Sequence, residues 1–438
     1  MTQRNRVVRL RSLAALTLGL ALAVSGCSSE GPAENGDPES LEGAHINVSG
    51  ANTPWWAAVS ANIDEFEAET GIEVTLSEFG ENQLADQNQV KLNAQSSDLD
   101  VLAIRPIQEQ RLYVDNGWLA DLTEFTETSD ALDWEDFQPA SREALTLEDS
   151  VWSVPVMTER TIVYYNTDLL EAAGLEVPGT LEELEAAAAA INSPDEDVYG
   201  IAMRGAANPA ITAFAGFLYS FGGDWQNEDG TSAIDSPEAI EAYDYYGRLL
   251  REYGPPGVTT MGWPEASAIF AQGKAGFYID FDSQAHVFQD EDNSRVVDSF
   301  GYAAFPEGPA GAKPPSTTPW SVGISAFSEQ KEASQKFIEW ATSADFMEKA
   351  LSEKQNPSPR LSTWESETAT EGFPQEMIDI ISLYGDIAVP YDRPRNIQVA
   401  QARDIIGKPI TAAIEGQDVE EAARAASEEY DRFLETDN

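Results

Sequence analysis

Apolar residues from position 45 onward recur with two different periods. Short segments in which they alternate with polar residues predict β-strands, and longer segments in which they recur every three or four positions predict helices. The first strand is predicted at residues 45–49, and the first helix is predicted at residues 54–70, ending before Gly71. Strands and helices alternate in the same way further along, and this order favours a parallel sheet covered by helices on both faces.

The remaining elements are predicted from the same periods. Thr180 and Glu183 fit a capping box at the start of one helix, and residues 306–319, rich in proline and glycine, predict a loop. Further strands are predicted at 72–76, 100–104, 161–165, 276–280, 300–305 and 321–326. Further helices are predicted at 84–95, 108–116, 168–173, 180–190, 210–221, 236–253, 264–272, 331–342, 399–415 and 419–434.

The amino-terminal segment has a different pattern. Four arginines precede an apolar run at residues 13–24, and two small residues then lead to Cys27. This order is typical of a secretory signal peptide, and the run is shorter than the roughly 20 residues that span a bilayer. Residues 24–27 also resemble a bacterial lipobox. We therefore predict that residues 1–26 are a signal peptide and that Cys27 carries acyl chains such as palmitate.

The segment after the cysteine is expected to be flexible. Residues 27–43 are small, acidic and poor in apolar side chains, so their burial cannot offset the entropy of ordering, and we predict a tether. Because Cys27 is the only cysteine, no intrachain disulfide can form. The expected location is the cell surface, on the outer face of the cytoplasmic membrane, held there by lipid on Cys27. The alternative is an ordinary secreted protein with an incidental cysteine.

The charge is strongly negative. The chain has 26 basic and 76 acidic residues, and without the four arginines of the signal its net charge is −54. A surface of this sign repels nucleic acid and anionic lipid headgroups, so we expect neither as a partner. The acidic residues are spread along the whole chain, which favours an adaptation for solubility in a salty or alkaline medium. Attraction of a cationic ligand is the alternative interpretation.

The chain lacks the residues that several kinds of catalytic and cofactor site require. The two histidines, His45 and His286, are far apart in sequence, so a histidine-based metal site or a Ser-His-Asp triad is nearly excluded. Residues 222–224 do not have the glycine spacing of a nucleotide-binding loop. Paired carboxylates could serve a glycosidase, but among 76 acidic residues some pairs are close by chance. We expect no metal, no cofactor and no catalysed reaction.

Five segments, taken together, resemble one protein family. They resemble the extracellular solute-binding proteins of sugar ABC importers, the group that includes maltose-binding protein, and the likeness covers essentially the whole mature chain. The segments are 154–160 (VPVMTER), 161–175 with its YNTDLL motif, 180–184, 270–279 (FAQGKAGFYI) and 318–324 (TPWSVGI), followed by a helix near 333–340.

The resemblance implies an α/β fold with two lobes, the periplasmic-binding-protein-like fold of type II with three interlobe crossovers. Lobe one would comprise residues 44–155 and 316–352, and lobe two residues 156–315 and 353–438, with the third crossover at 356–360. Such a protein captures a carbohydrate, from a monosaccharide or polyol to an oligosaccharide, by closing its cleft. It then delivers the ligand to the transmembrane subunits of an ABC permease. We expect it to act as a monomer.

Sugar binding requires aromatic faces for C–H groups and charged or amide groups for hydroxyls. These residues belong on loops at strand ends, facing the cleft. Candidates that follow the first three strands are Trp56, with Trp55 as alternate, Glu78, Asn82 and Arg105. Candidates that the resemblance implies are Glu159, Arg160, Trp225, Asp280, Asp282, Trp320, Arg360 and Arg395.

The alternatives for these residues are structural. Trp56 and Trp225 could belong to the core, and Glu78, Asn82 or Arg105 could be solvated loop residues. Arg160 could neutralise Glu159, Arg360 could form an interlobe salt bridge, and one of Asp280 and Asp282 could be structural.

Two other functions remain open. The same fold could bind a polyamine or another cation drawn by the negative charge, although arginines in the cleft argue against it. A surface glycosidase is the other alternative.

Overall fold

The computed structural model describes residues 41–437, except the side chains of Glu81, Asn82 and His286. The predicted signal peptide, Cys27 and most of the predicted tether lie outside the described residues. The strands are β1 (His45–Ala51), β2 (Glu73–Phe79), β3 (Val101–Ile104), β4 (Thr146–Leu147), β5 (Ser150–Val151), β6 (Val154–Asn166), β7 (Tyr199–Ala202), β8 (Ala275–Phe281), β9 (Phe300–Ala303) and β10 (Ser316–Ile324).

Eighteen α-helices lie between and after these strands in the described part of the chain. They are α1 (Pro54–Thr70), α2 (Glu81–Asn93), α3 (Arg111–Asp115), α4 (Thr123–Thr128), α5 (Pro139–Ala144), α6 (Thr167–Ala173), α7 (Leu181–Ile191), α8 (Ala207–Phe221), α9 (Pro237–Tyr253), α10 (Trp263–Ala271), α11 (Ala285–Phe288), α12 (Lys331–Ala341), α13 (Ala344–Lys354), α14 (Leu361–Glu365), α15 (Gln375–Ile387), α16 (Val399–Ile406), α17 (Lys408–Ile414) and α18 (Val419–Leu434).

The main sheet has the strand order β2-β1-β3-β10-β6-β8-β7, with β9 also paired to β6. Strands β1, β2 and β3 are parallel, whereas β10 runs antiparallel to both β3 and β6. The first half of β6 pairs with β10, and its second half pairs with β8 and β9. The parallel sheet predicted from the strand–helix alternation is therefore interrupted by antiparallel strands at its centre.

Local sequence signals explain where several helices begin and end. Thr53 caps α1 by accepting a hydrogen bond from the backbone N–H of Trp56, and Gly71 ends the helix in a left-handed conformation with φ of 71°. The capping box predicted at Thr180 and Glu183 is confirmed at the start of α7.

The predicted loop at residues 306–319 is wrong at its carboxyl end. Strand β10 already begins at Ser316, and its pairing with β6 shifts register between Thr317 and Trp320. Pro319 lies within this irregularity. Proline has no backbone N–H to donate to a regular strand pairing, so it is tolerated where the pairing is interrupted.

The described residues form two large hydrophobic cores and a smaller third one. One contains side chains from β1, α1, β3, β10, α12 and α13, together with the start of β6. The other contains the second half of β6, β7, β8 and helices α7 to α9 with α16 to α18. The predicted lobe boundaries stay a prediction. Among the described residues, no helix combines the length and the apolar composition that crossing a bilayer requires.

Candidate functional site

A cavity of about 320 Å³ opens where the parallel strands end, and we call it the polar chamber. Residues 52–54 reach it directly after β1, and Arg105 and Gln108 reach it after β3. The carboxyl ends of parallel strands meet at one edge of a sheet, so these loops are brought together by the topology. The other lining residues include Phe281 at the end of β8, Arg393, and residues 317–320 of β10.

A second cavity of about 560 Å³ adjoins the first, and we call it the aromatic chamber. The two chambers share Pro54, Met157 and Glu159 in their walls. The other residues of the aromatic chamber come mainly from α10, the loop after β8, β9, and the segment from α13 to α15. They include four aromatic side chains, Trp263, Tyr302, Trp364 and Phe373.

Glu159 lies on β6 at the junction of the two chambers. The hydroxyl of Ser283 donates a hydrogen bond of 2.5 Å to its Oε1. Burial raises the pKa of Glu159 to about 7, and the negative charges of Asp282 and Asp280 act in the same direction. The Ser283 hydrogen bond and the charge of Arg204 oppose this rise. Both protonation states are therefore populated near neutral pH, so the carboxyl can accept or donate hydrogen bonds.

Each chamber contains a buried polar atom that has no hydrogen-bond partner among the residues that the structure describes. In the polar chamber, Thr318 is 0% exposed, and its Oγ1 has no hydrogen-bond partner among the described residues. In the aromatic chamber, Gln284 is 7% exposed, and its Oε1 has none within residues 41–437. Buried polar atoms are normally satisfied. The two chambers therefore contain groups that could bond ligand hydroxyls.

Two arginines line the polar chamber, and each is held by a carboxylate. Arg105 donates from Nε and Nη2 to Oε1 of Glu109 at 2.8 and 2.6 Å. Arg393 donates from Nε to Oδ1 of Asp392 at 2.6 Å and from Nη2 to the hydroxyl of Thr212 at 3.2 Å. Although burial acts the other way, the charge of Arg393 holds the pKa of Asp392 below its usual range. A guanidinium has five N–H groups, so a paired arginine can still donate to a neutral ligand.

Arg160 and the two candidate aspartates form buried ion pairs. Arg160 is 0% exposed and pairs with Asp282 at 2.9 Å, so it neutralises Asp282 and not Glu159. Asp280 accepts two hydrogen bonds from Arg204, at 2.7 and 2.6 Å, and a third from the hydroxyl of Tyr278. The structure places Asp282 in the wall of the aromatic chamber, whereas Arg160 and Asp280 line neither chamber.

The tryptophan candidates separate into two groups. Trp56 is 1% exposed and Trp225 is 3% exposed, and both belong to the hydrophobic cores. Trp55 is equally buried and donates from Nε1 to the carbonyl oxygen of Ala341. Trp56 and Trp225 line neither chamber, so their assignment to the site is corrected to core packing. Trp320 does line the polar chamber.

The remaining candidates whose side chains the structure describes lie outside both chambers. Glu78 is exposed within the edge strand β2, and Asn82 is at the start of α2, with a side chain that lies outside the described residues. Arg360 is 1% exposed and pairs with Asp136 at 2.9 Å, which is a structural role. Arg395 is exposed, with its guanidinium carbon 4.2 Å from the ring centroid of Tyr391. The predicted ligand contacts of Glu78, Arg360 and Arg395 are not supported by these positions.

Several residues of the polar chamber were missed by the sequence reasoning. Asn52 and Thr53 carried a usable signal, because they lie in the short segment between the predicted first strand and the predicted first helix. Thr317 and Thr318 were hidden in the segment predicted as a loop. Arg393 had no local signal, since it follows α15 in a segment with no predicted element.

Comparisons with known proteins identify relatives of this chain. The profile described as bacterial extracellular solute-binding protein matches residues 52–348. The mannitol-binding protein of Pseudomonas aeruginosa is 28% identical over 368 residues, which cover 80% of this chain and 83% of that protein.

Two solved structures have a similar fold. An ABC transporter solute-binding protein from Agrobacterium vitis S4 with bound D-mannitol is 27% identical, with a TM-score of 0.69, and the match covers 90% of this chain and 99% of that chain. Maltose-bound MalE3 of T. maritima is 28% identical, with a TM-score of 0.73, and the match covers 89% of this chain and 100% of that chain. The predicted two-lobed α/β fold and the predicted family resemblance are confirmed.

Proposed function

The chain belongs to the family of bacterial extracellular solute-binding proteins, and on that premise we propose that it captures a small carbohydrate or polyol for an ABC importer. The ligand occupies the polar chamber, closure of the cleft encloses it, and the permease receives it without any reaction being catalysed. Two of the relatives support this ligand class, because one is named a mannitol-binding protein and the other carries bound D-mannitol. The protein acts as a monomer.

The observation that carries the proposal is the mixture of hydrogen-bonding groups in the polar chamber. Arg105 and Arg393 can donate, Glu159 can accept or donate, and the buried Oγ1 of Thr318 has no partner within the described part of the chain. A sugar hydroxyl both donates and accepts, so it can satisfy each of these groups. Charge-assisted bonds of this kind are short and strong.

A thermal-shift series tests the proposed ligand class. D-mannitol, D-sorbitol, maltose and spermidine would each be added to the protein without its signal peptide. At least one neutral ligand should raise the Tm, because a ligand at 100 times its Kd stabilises the folded state by about 2.7 kcal/mol. Glu159→Ala should abolish that shift and still fold, whereas the exposed control Glu78→Ala should keep it. A shift with spermidine alone would overturn the proposal in favour of a cation.

We also propose that the mature chain is attached to the membrane through lipid on Cys27. The order of charged, apolar and small residues before this cysteine supports cleavage at its amino side. Expression in a bacterium that acylates lipoproteins should leave the protein in the detergent phase of a Triton X-114 partition. Cys27→Ser should move it to the aqueous phase. Aqueous partition of both forms would contradict the anchor.

A further inference from the structure

The polar and aromatic chambers are adjacent but differ in chemistry. They share Pro54, Met157 and Glu159, so one molecule can extend from one chamber into the other. The volume of the aromatic chamber lies within the range of small-molecule sites, and that of the polar chamber lies at the lower end of the range. A ligand that fills only the polar chamber would leave the larger aromatic chamber empty.

The polar chamber suits a flexible polyhydroxyl chain. Its charged side chains, Arg105, Glu159 and Arg393, surround the space together with the hydroxyls of Thr317 and Thr318. An acyclic polyol carries a hydroxyl on every carbon, so it presents hydrogen-bonding groups on all sides and no broad apolar face. Donors and acceptors on several walls match such a chain.

The aromatic chamber suits a sugar ring. Trp263 is 39% exposed at the start of α10, and Phe373 is partly exposed beside Trp364, with ring centroids 5.5 Å apart. Exposed aromatic faces pack against the broad C–H face of a pyranose ring, and an open polyol chain has no such face. The buried Oε1 of Gln284, unpaired within residues 41–437, can accept from a ring hydroxyl.

From this division we infer that the ligand is a glycosylated alditol, in which a pyranose ring is joined to an acyclic polyol chain. The alditol part lies in the polar chamber, the ring packs in the aromatic chamber, and Glu159 lies beside the bond that joins them. This inference rests on the proposed function and specifies the ligand of the same site.

Isothermal titration with sorbitol, maltitol and maltose tests the inference. Maltitol is sorbitol that carries a glucopyranose, so it should bind at least about tenfold more tightly than sorbitol, because it adds ring packing and a hydrogen bond. Maltose, in which both units are rings, should bind more weakly than maltitol. Equal affinities for sorbitol and maltitol, or tighter binding of maltose, would overturn the inference and leave the proposed function intact. If none of the three binds, the titration counts against the proposed function itself.

Variants of the aromatic chamber provide the second test. Trp263→Ala and Phe373→Leu should each weaken maltitol binding about fivefold and leave sorbitol binding unchanged. Trp263 is exposed, so its loss is compatible with folding, which a thermal melt would verify. Leu383→Ala, at an exposed apolar residue outside the chamber, is the matched control and should change neither affinity. An equal loss for both ligands would contradict the assignment of the ring to this chamber.

Discussion

At the scale of single residues, Glu159 combines a cleft position with a perturbed carboxyl. It contacts both chambers, and burial raises its pKa to about 7 from an ordinary value of 4.5. Between these two pH values the folded state binds more protons at this site than the unfolded state does. The contribution of Glu159 to the free energy of unfolding therefore falls as pH rises from about 4.5 to 7, and it is constant above that range.

The variant Glu159→Gln tests this pH dependence without ligand. At pH 5 the carboxyl is protonated in the folded state, so the variant and the wild-type protein should have similar free energies of unfolding. The variant should become the more stable of the two as pH rises to about 7.5, because the amide avoids burial of a charge. Urea denaturation at pH 5, 6, 7 and 8 measures the difference, with Glu78→Gln as an exposed control. A difference that does not change with pH would contradict the raised pKa.

Arg360 is the second residue whose individual contribution to the free energy of unfolding can be tested. Its guanidinium donates to Oδ2 of Asp136 and to the carbonyl oxygens of Thr342 and Leu132, and its carbon lies 4.1 Å from the ring centroid of Phe137. Arg360→Met should reduce the free energy of unfolding by roughly 3 kcal/mol, because it leaves the carboxylate of Asp136 without its ion-pair partner.

Arg395→Met is the matched control for that variant. Arg395 is exposed, so its removal should change the free energy of unfolding by less than about 0.5 kcal/mol. Urea midpoints at one pH compare the two variants. Similar losses in both would show that the buried contacts of Arg360 do not stabilise the fold.

The sequence predicted part of the candidate site at this scale. Glu159, Arg105 and Trp320 do line the polar chamber. The position of Trp56 in the sequence does not show whether it belongs to the core or to the cleft, because the first turn after a strand can face either. The Arg393 side chain is oriented by hydrogen bonds to Asp392 and to Thr212, which is distant in sequence. No local pattern predicts the contact with Thr212.

At the scale of elements, close approach of two helices depends on a glycine. A Cβ added to Gly247 on α9 would lie 2.1 Å from the Cβ of Ala413 on α17, so the helices would have to separate. We expect Gly247→Ala to lower the free energy of unfolding by about 1–3 kcal/mol through overpacking. Thermal or urea unfolding measures this loss.

Gly385 on α15 provides the control for the same substitution. A Cβ there would meet nothing closer than Cδ2 of Leu361 at 3.9 Å. Gly385→Ala should therefore stabilise the protein by about 0.5–1 kcal/mol, because alanine has the higher helix propensity. A loss in both variants would show that the cost at Gly247 does not come from the helix contact.

Several elements were predictable from strong local signals. Helices α1 and α18 have the predicted bounds, since Thr53 and Asp418 cap their first turns. Helix α15 was missed although Met377, Ile380, Ile381 and Tyr384 recur at helical spacing, so its signal was present. The position of β10 between β3 and β6 could not be predicted locally, because strand pairing depends on distant residues.

At the scale of the whole molecule, the net charge of −54 over residues 27–438 opposes folding by self-repulsion. Screening shortens the range of this repulsion to about 10 Å at 0.1 M salt. The Tm should therefore rise between 10 mM and 500 mM NaCl. Choline chloride at the same ionic strength should give a similar rise if screening is the cause. A rise with NaCl alone would indicate specific binding of sodium ions.

The order of strands in the sheet has a consequence for how the chain reaches its native state. Ser321 of β10 pairs with Ile104 of β3, and about half of the chain separates them. During synthesis β3 therefore lacks one neighbour until late, and folds dominated by such distant pairings form slowly. Hydrogen-exchange labelling during refolding should show protection of the β1–β2 amides before those between β3 and β10. A chain that closes its sheet last stays unfolded longer, which favours passage through a translocation channel before folding is complete.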